Sequence, residues 1–255
     1  MTRITRIVLL SLASFGLTAT VRADSKPDLV LVSVGVSNFQ HRAFERGVAA
    51  AAKDAQDVAK LYEQQAGRFF GKVESKVLVN EEATRANIEK AFAWAKTRAT
   101  ANSYVVVFMA SHAQADDRGQ YSFVPHDSNP LLPSTNVTSA TMRKYLDSTA
   151  GKCFLILDTC HAGAANRLGG VHFATLASCN ARELSSEDGA ANGFFTRAFV
   201  EGMSGKADAN GDGVVTLDEL ESFVRDRLSN LSEGRQSFTM NKPTEYRGLL
   251  PVAGS

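Results

Sequence analysis

The chain has 255 residues, with 28 Lys plus Arg, 27 Asp plus Glu and a formal net charge of +1. That balance excludes a nucleic-acid binder built on a basic face, because phosphate neutralisation needs clustered positive charge. A hydrophobic share of 44% and a charged share of 22% exclude wholesale disorder, and three Cys are too few for a disulfide scaffold of this length.

Residues 1–23 form a unit of their own. Arg3 and Arg6 precede a mostly apolar or small stretch from Ile7 to Thr20, and Val21-Arg22-Ala23 puts small residues at −3 and −1 of a cleavage site. This is the three-part pattern of a secretory signal peptide, and it predicts an exported protein, periplasmic or secreted. No apolar run is long enough to keep the chain in a membrane after cleavage. All three charges in the leader are Arg, so its loss leaves 25 basic against 27 acidic residues. The remainder, 24–255, reads as one domain and as a monomer.

Along it, strands and helices alternate. Leu29 to Gly35 is a continuous apolar, β-branched run, the signature of a strand buried on both faces. A helical pattern spans Phe44 to Gln65. Val73 to Val79 alternates and predicts a second strand. Thr84 opens a helix over 85–98. Tyr104 to Met109 is a third strand, and Val137 to Ser148 a short helix. Cys153 to Leu157 and Val171 to Ala177 are further strands, and 193–202 and 217–228 the last two helices. The order predicts an α/β protein with a mainly parallel sheet and helices on both faces. Ligands of such sheets lie beyond the carboxyl ends of the strands.

Two of those ends carry chemistry. The third strand runs into Ala110-Ser111-His112, and the fourth into Asp158-Thr159-Cys160-His161-Ala162-Gly163. On neighbouring strands, an imidazole and a thiol face one cleft. The thiolate is the reactive form of Cys, and an imidazole can take the thiol proton and later return it to a leaving amine. Cys153 begins its strand while Cys179 follows the end of the next, which predicts no disulfide between them.

The stretch around Cys160, with His112 ahead of it at a caspase-like interval, resembles the caspase and metacaspase clan, closest to bacterial orthocaspases. Gly35-Val36-Ser37, Lys53-Asp54-Ala55, Tyr121 to Asp127 and Leu176-Ala177-Ser178 match as well. The resemblance implies a three-layer α/β/α sandwich and a cysteine endopeptidase acting on protein or peptide substrates. His112 would be the base and Cys160 the nucleophile. The backbone N–H groups of Ala113 and Cys160 would form the oxyanion hole. Asp54 and Asp158 would bind a basic substrate side chain, as two carboxylates suit a guanidinium. The family's usual Gly after the His is Ala113 here, and a positive φ at that position would cost on the order of 1 kcal/mol.

Residues 208–219 fit a twelve-residue EF-hand loop. Oxygen donors fall at Asp208, Asn210, Asp212, Thr216 and Glu219, with Gly213 at the sharp turn and the carbonyl of Val214 as a further ligand. The loop predicts a bound Ca²⁺. Three functions stay open on sequence: an exported peptidase cutting after Arg or Lys, an inert caspase-like module that binds protein or peptide and is stabilised by calcium, and a non-peptidase hydrolase or transferase that uses the same thiol on small amides.

Overall fold

The computed structural model describes residues 26–44, 48–167, 172–181, 192–246 and 251–254. Residues 1–23, where a signal peptide is expected, and Val171, expected as strand, lie outside them. The eleven strands seen there are β1 (Asp28–Gly35), β2 (Val73–Val79), β3 (Ser103–Ser111), β4 (Ala113–Ala115), β5 (Tyr121–Phe123), β6 (Val137–Thr138), β7 (Lys152–Thr159), β8 (Phe173–Ala177), β9 (Val214–Thr216), β10 (Thr239–Asn241) and β11 (Pro251–Gly254). The helices are α1 (Ala51–Glu63), α2 (Arg85–Arg98), α3 (Ser139–Leu146), α4 (Phe194–Glu201) and α5 (Leu217–Leu231).

The central sheet has the order β10-β8-β7-β3-β1-β2, parallel throughout except for β10 at the edge. Its inner strands are buried on both faces, which is why their sequences are apolar runs rather than alternations. One face packs on α1, α4 and α5 through residues such as Val58, Phe199 and Val224. The other packs on α2 and α3 through Ile88, Phe92 and Met142. The fold is therefore the expected α/β arrangement of three layers.

Three expectations are corrected. The first helix begins at Ala51, not Phe44. Arg42–Phe44 is instead a turn of 3₁₀-helix, and the hydroxyl of Ser37 accepts the N–H of Ala52 at 2.9 Å, satisfying a donor at the helix start. Val137 and Thr138 are strand, and only Ser139–Leu146 is helical, with Thr138 as its cap. Finally, β4, β5 and β6 form a small antiparallel sheet and β9 pairs with β11, neither of which the periodicity foretold.

Gly35 explains how α1 comes so near the sheet. A Cβ there would lie 2.2 Å from the carbonyl oxygen of Ala51. The glycine lets the helix start, and with it Asp54, settle against the end of β1.

Candidate active site

β3 and β7 are neighbours in register, with Ala110 opposite Asp158 and Ser111 opposite Thr159. His112 and Cys160 are the next residues on each strand, so both leave the sheet at the same edge and on adjacent strands. Both are half-buried.

The environment of His112 sets its tautomer. Its Nε2 lies 3.0 Å from the carbonyl oxygen of Phe44. A carbonyl only accepts, so Nε2 carries the hydrogen and Nδ1 keeps the lone pair that can take a thiol proton. The ring also packs against Phe39 and Phe44, at centroid distances of 5.4 and 6.3 Å. Sequence reasoning missed Phe44 as a partner, since a backbone carbonyl leaves no trace in residue type.

The three thiols differ sharply. Burial pushes both Cys153 and Cys179 up to about 12, so neither forms a thiolate at neutral pH. Cys160 is the more exposed one. No disulfide joins any two of them. The turn after Cys160 is tight. His161 has φ 57°, a left-handed conformation that costs a non-glycine residue on the order of 1 kcal/mol, and its Nδ1 is 3.1 Å from the carbonyl of Ala181. A Cβ at Gly163 would come within 2.7 Å of Asn180 and Ala181. The glycine is what allows the nucleophile turn to lie against the 180–181 segment.

Ala113 is not strained. Among the described residues, the non-glycine positions with positive φ are Asn80, His161 and Glu233. Val124 N donates to His112 O at 3.0 Å, so Ala113 and Phe123 form a non-hydrogen-bonded pair of the β4–β5 ladder. The N–H of Ala113 thus points away from β5.

Asp54 and Asp158 converge from α1 and β7, both buried. Asp54 Oδ1 accepts the side-chain amide of Asn192 at 2.9 Å and the N–H of Gly193 at 3.2 Å. Asp158 Oδ2 accepts both the N–H and the hydroxyl of Thr196, at 3.2 and 2.8 Å. The start of α4 therefore bridges the two carboxylates. Asn192, Gly193 and Thr196 were not singled out from sequence, because they lie far along the chain from either Asp.

His126 Nδ1 lies 2.7 Å from the carbonyl oxygen of Asn38. No helix among the described residues is long and apolar enough to cross a membrane.

The 208–219 loop has the turn that the EF-hand pattern predicts. Gly213 turns at φ 83°, Asp208 Oδ2 accepts its N–H at 2.9 Å, and Thr216 caps α5 in a reciprocal box with Glu219. Hydrogen bonds from Thr216 and Ala209 hold the Glu219 carboxyl below the usual range. Among the described residues no three His, Cys, Asp or Glu side chains converge as a metal cluster. The donor set suits Ca²⁺ in number and in its all-oxygen chemistry, while the Glu219 carboxylate is engaged by Thr216 and Ala209. Positions 7–9 of the loop are β9, and β11 pairs with them, Ala253 opposite Val215 and Gly254 opposite Val214. β11 is tied to the body of the protein by Tyr104, whose hydroxyl donates to Pro251 O at 3.0 Å.

A mainly parallel sheet of this order between two helix layers, with a His and a Cys at adjacent strand ends, is a caspase-like α/β fold. The family model described as the caspase domain matches residues 30–247, and the chain belongs to that family of cysteine peptidases. Among solved structures the chain is similar to protein GSU0716 from Geobacter sulfurreducens, at 14% identity and TM-score 0.65, covering 89% of this chain and 99% of that one. It is also similar to caspase-1 from Spodoptera frugiperda, at 12% identity and TM-score 0.62, covering 90% of each. No curated protein matches it in sequence.

Proposed function

We propose that the protein is an exported, orthocaspase-type cysteine endopeptidase that cleaves after Arg or Lys through a dyad of His112 and Cys160. The observation that carries this reading is the β3–β7 register, which delivers both residues to one edge, together with the Phe44 carbonyl that leaves His112 Nδ1 as an acceptor.

In this reading His112 Nδ1 takes the Cys160 proton, and the thiolate attacks the scissile carbonyl carbon. The N–H groups of Ala113 and Cys160 hold the oxygen as it gains charge. The C–N bond breaks and the imidazolium protonates the leaving amine; water, deprotonated by His112, then attacks the thioester carbonyl, the C–S bond breaks, and the carboxylic acid product leaves as the Cys160 sulfur takes the proton back from His112. Asp54 and Asp158 accept hydrogen bonds from the substrate's guanidinium or ammonium group, which favours basic residues over acidic ones.

Ca²⁺ belongs to the same proposal. Asp208, Asn210, Asp212, Thr216, Glu219 and the carbonyl of Val214 would hold it, and the ion would neutralise the loop's carboxylates. The residue support is the loop backbone already described and its pairing with β11.

Turnover of fluorogenic peptides ending in Arg, Lys, Asp or Leu tests the reading. Wild type is expected to cleave the Arg and Lys peptides, and Cys160→Ala none. Specific peptide binding without turnover, at any calcium concentration, would favour the inert module.

A further inference from the structure

Cys179 sits against the turn that carries Cys160. β7 and β8 run parallel and in register up to Leu157 opposite Ala177, and the ladder goes one step further, Ser178 N donating to Leu157 O at 2.9 Å. Continued, that register sets Cys179 beside Thr159, one residue short of Cys160. The side chain agrees with it. The Cys179 thiol donates to Thr159 O at 3.3 Å, and the N–H of Ala162 hydrogen-bonds to its sulfur. The sulfur therefore lies between the two residues that flank Cys160 and His161.

Neighbouring strands lie about 4.8 Å apart and rise about 3.3 Å per residue, so the Cα atoms of Cys160 and Cys179 are about 6 Å apart, inside the span of about 4.4–6.8 Å that a disulfide bridges. Cys153 lies seven residues before Cys160 on β7, about 23 Å away at that rise, and is out of reach.

The two thiols also differ in access. Cys179 is fully buried in the layer of α2 and α3. Burial pushes it up to about 12, with the Ala162 N–H lowering it in part and a charge on Cys160 raising it. It stays a thiol at neutral pH, shielded from solvent. Cys160 is half-buried, so an oxidant from solvent reaches it first.

We propose that Cys160 and Cys179 form a reversible oxidation site, in which a hydroperoxide oxidises Cys160 and Cys179 closes a disulfide that takes the reactive thiol out of use. The Cys160 sulfur attacks one peroxide oxygen and the O–O bond breaks. The sulfur is oxidised by two electrons to a sulfenic acid, and its proton leaves on the other oxygen as water or an alcohol. The Cys179 sulfur then displaces the sulfenic hydroxyl. The S–S bond forms as the S–O bond breaks, and the Cys179 proton leaves with the hydroxyl as water. Two equivalents of an external thiol return both cysteines and become a disulfide themselves. Without Cys179 the sulfenic acid goes on to sulfinic acid, which such thiols do not reduce. This rests on the reading of Cys160 as the reactive thiol, but on no turnover.

The test is hydrogen peroxide added to the full-length protein at neutral pH, with and without dimedone to trap sulfenic acid, read by tandem mass spectrometry of the tryptic peptides. Wild type is expected to lose two hydrogens, with the cross-link between Cys160 and Cys179, and to regain both thiols in dithiothreitol. Cys179→Ala is expected to take dimedone at Cys160, or two oxygens without dimedone, the latter unchanged by dithiothreitol. Cys160→Ala should leave Cys179 reduced. The wild-type cross-link is read without any variant, so a variant that folds poorly does not blunt the test. Sulfinic acid at Cys160 in wild type as fast as in Cys179→Ala, a cross-link to Cys153, or no oxidation of Cys160 overturns the proposal. Failure of the peptidase reading is distinct: a reversible cross-link without peptide cleavage would sink that reading alone, and cleavage without a cross-link would sink the oxidation site alone.

Discussion

Asp54 and Asp158 meet across a single glycine. A Cβ on Gly193 would lie 3.2 Å from Asp54 Oδ2 and 3.1 Å from Asp158 Oδ2. Two buried carboxylates this close repel each other, and the donors of Asn192, Gly193 and Thr196 are what the chain offers to hold them together. A substrate cation entering the same space would complete that arrangement.

The first prediction follows from this spacing. Gly193→Ala adds one methyl between the carboxylates at a φ of −57° that Ala accepts readily, so the backbone is not strained. The crowding falls on the pocket instead. We expect kcat/KM for Arg peptides to fall about tenfold or more with the thermal midpoint nearly unchanged. Unaltered kinetics would separate Gly193 from substrate binding.

Thr196→Val removes one of the two bonds to Asp158 Oδ2 while keeping the shape of a fully buried side chain. Leaving a buried carboxylate oxygen short of a donor costs about 1–3 kcal/mol. Urea unfolding checks this, and a KM increase larger than the kcat decrease for Arg peptides would tie the loss to the pocket. Unchanged stability would show that another donor replaces the hydroxyl.

The calcium loop separates from folding through Glu219→Gln. Gln at this position still closes the box with Thr216, so stability without metal should hold. Wild type should gain about 5 °C in thermal midpoint in millimolar Ca²⁺ over chelator, and the variant should gain little. Equal midpoints for wild type in calcium and in chelator would remove the metal from the account.

Glu201, the last residue of α4, receives two 3.1 Å bonds from Arg227 of α5. Those bonds bring its carboxyl down to about 2 from an ordinary value of 4.5. A depressed carboxylate contributes stability that is complete above the unfolded value and disappears as pH falls through the folded one. The stability difference between wild type and Glu201→Gln should be about 1–2 kcal/mol after solvent screening. It should be constant above pH 5 and vanish between pH 4.5 and 2. A difference that persists at pH 2 would assign it to packing rather than charge.

Much of the fold was legible because buried parallel strands write continuous apolar runs. Such runs mark β1, β3 and β7, alternation marks β2, and Thr84 marks the start of α2, accepting Asn87 N at 3.2 Å. Apolar residues that serve something other than a helix face mislead the pattern. Phe44 looks like the first turn of α1, yet it packs on Phe39 and His112. The strands β4, β6 and β10 are two or three residues long, too short for periodicity to register. His112, Cys160, Asp54 and Asp158 could be singled out from residue type and family pattern. Asn192, Gly193 and Thr196 could not, because only the folded chain brings the start of α4 to the carboxylates.

Attack by Cys160, prepared by His112, on a carbonyl beside a bound basic side chain is the step on which the proposed peptidase activity depends. Its most direct test is mass spectrometry of the intact protein after incubation with an arginyl acyloxymethyl ketone peptide at neutral pH. The expected result is one adduct, mapped to Cys160, with Cys153 and Cys179 unmodified, formed far more slowly by His112→Ala and by the corresponding aspartyl reagent. An adduct on another residue, or none after prolonged incubation with and without calcium, would contradict the account.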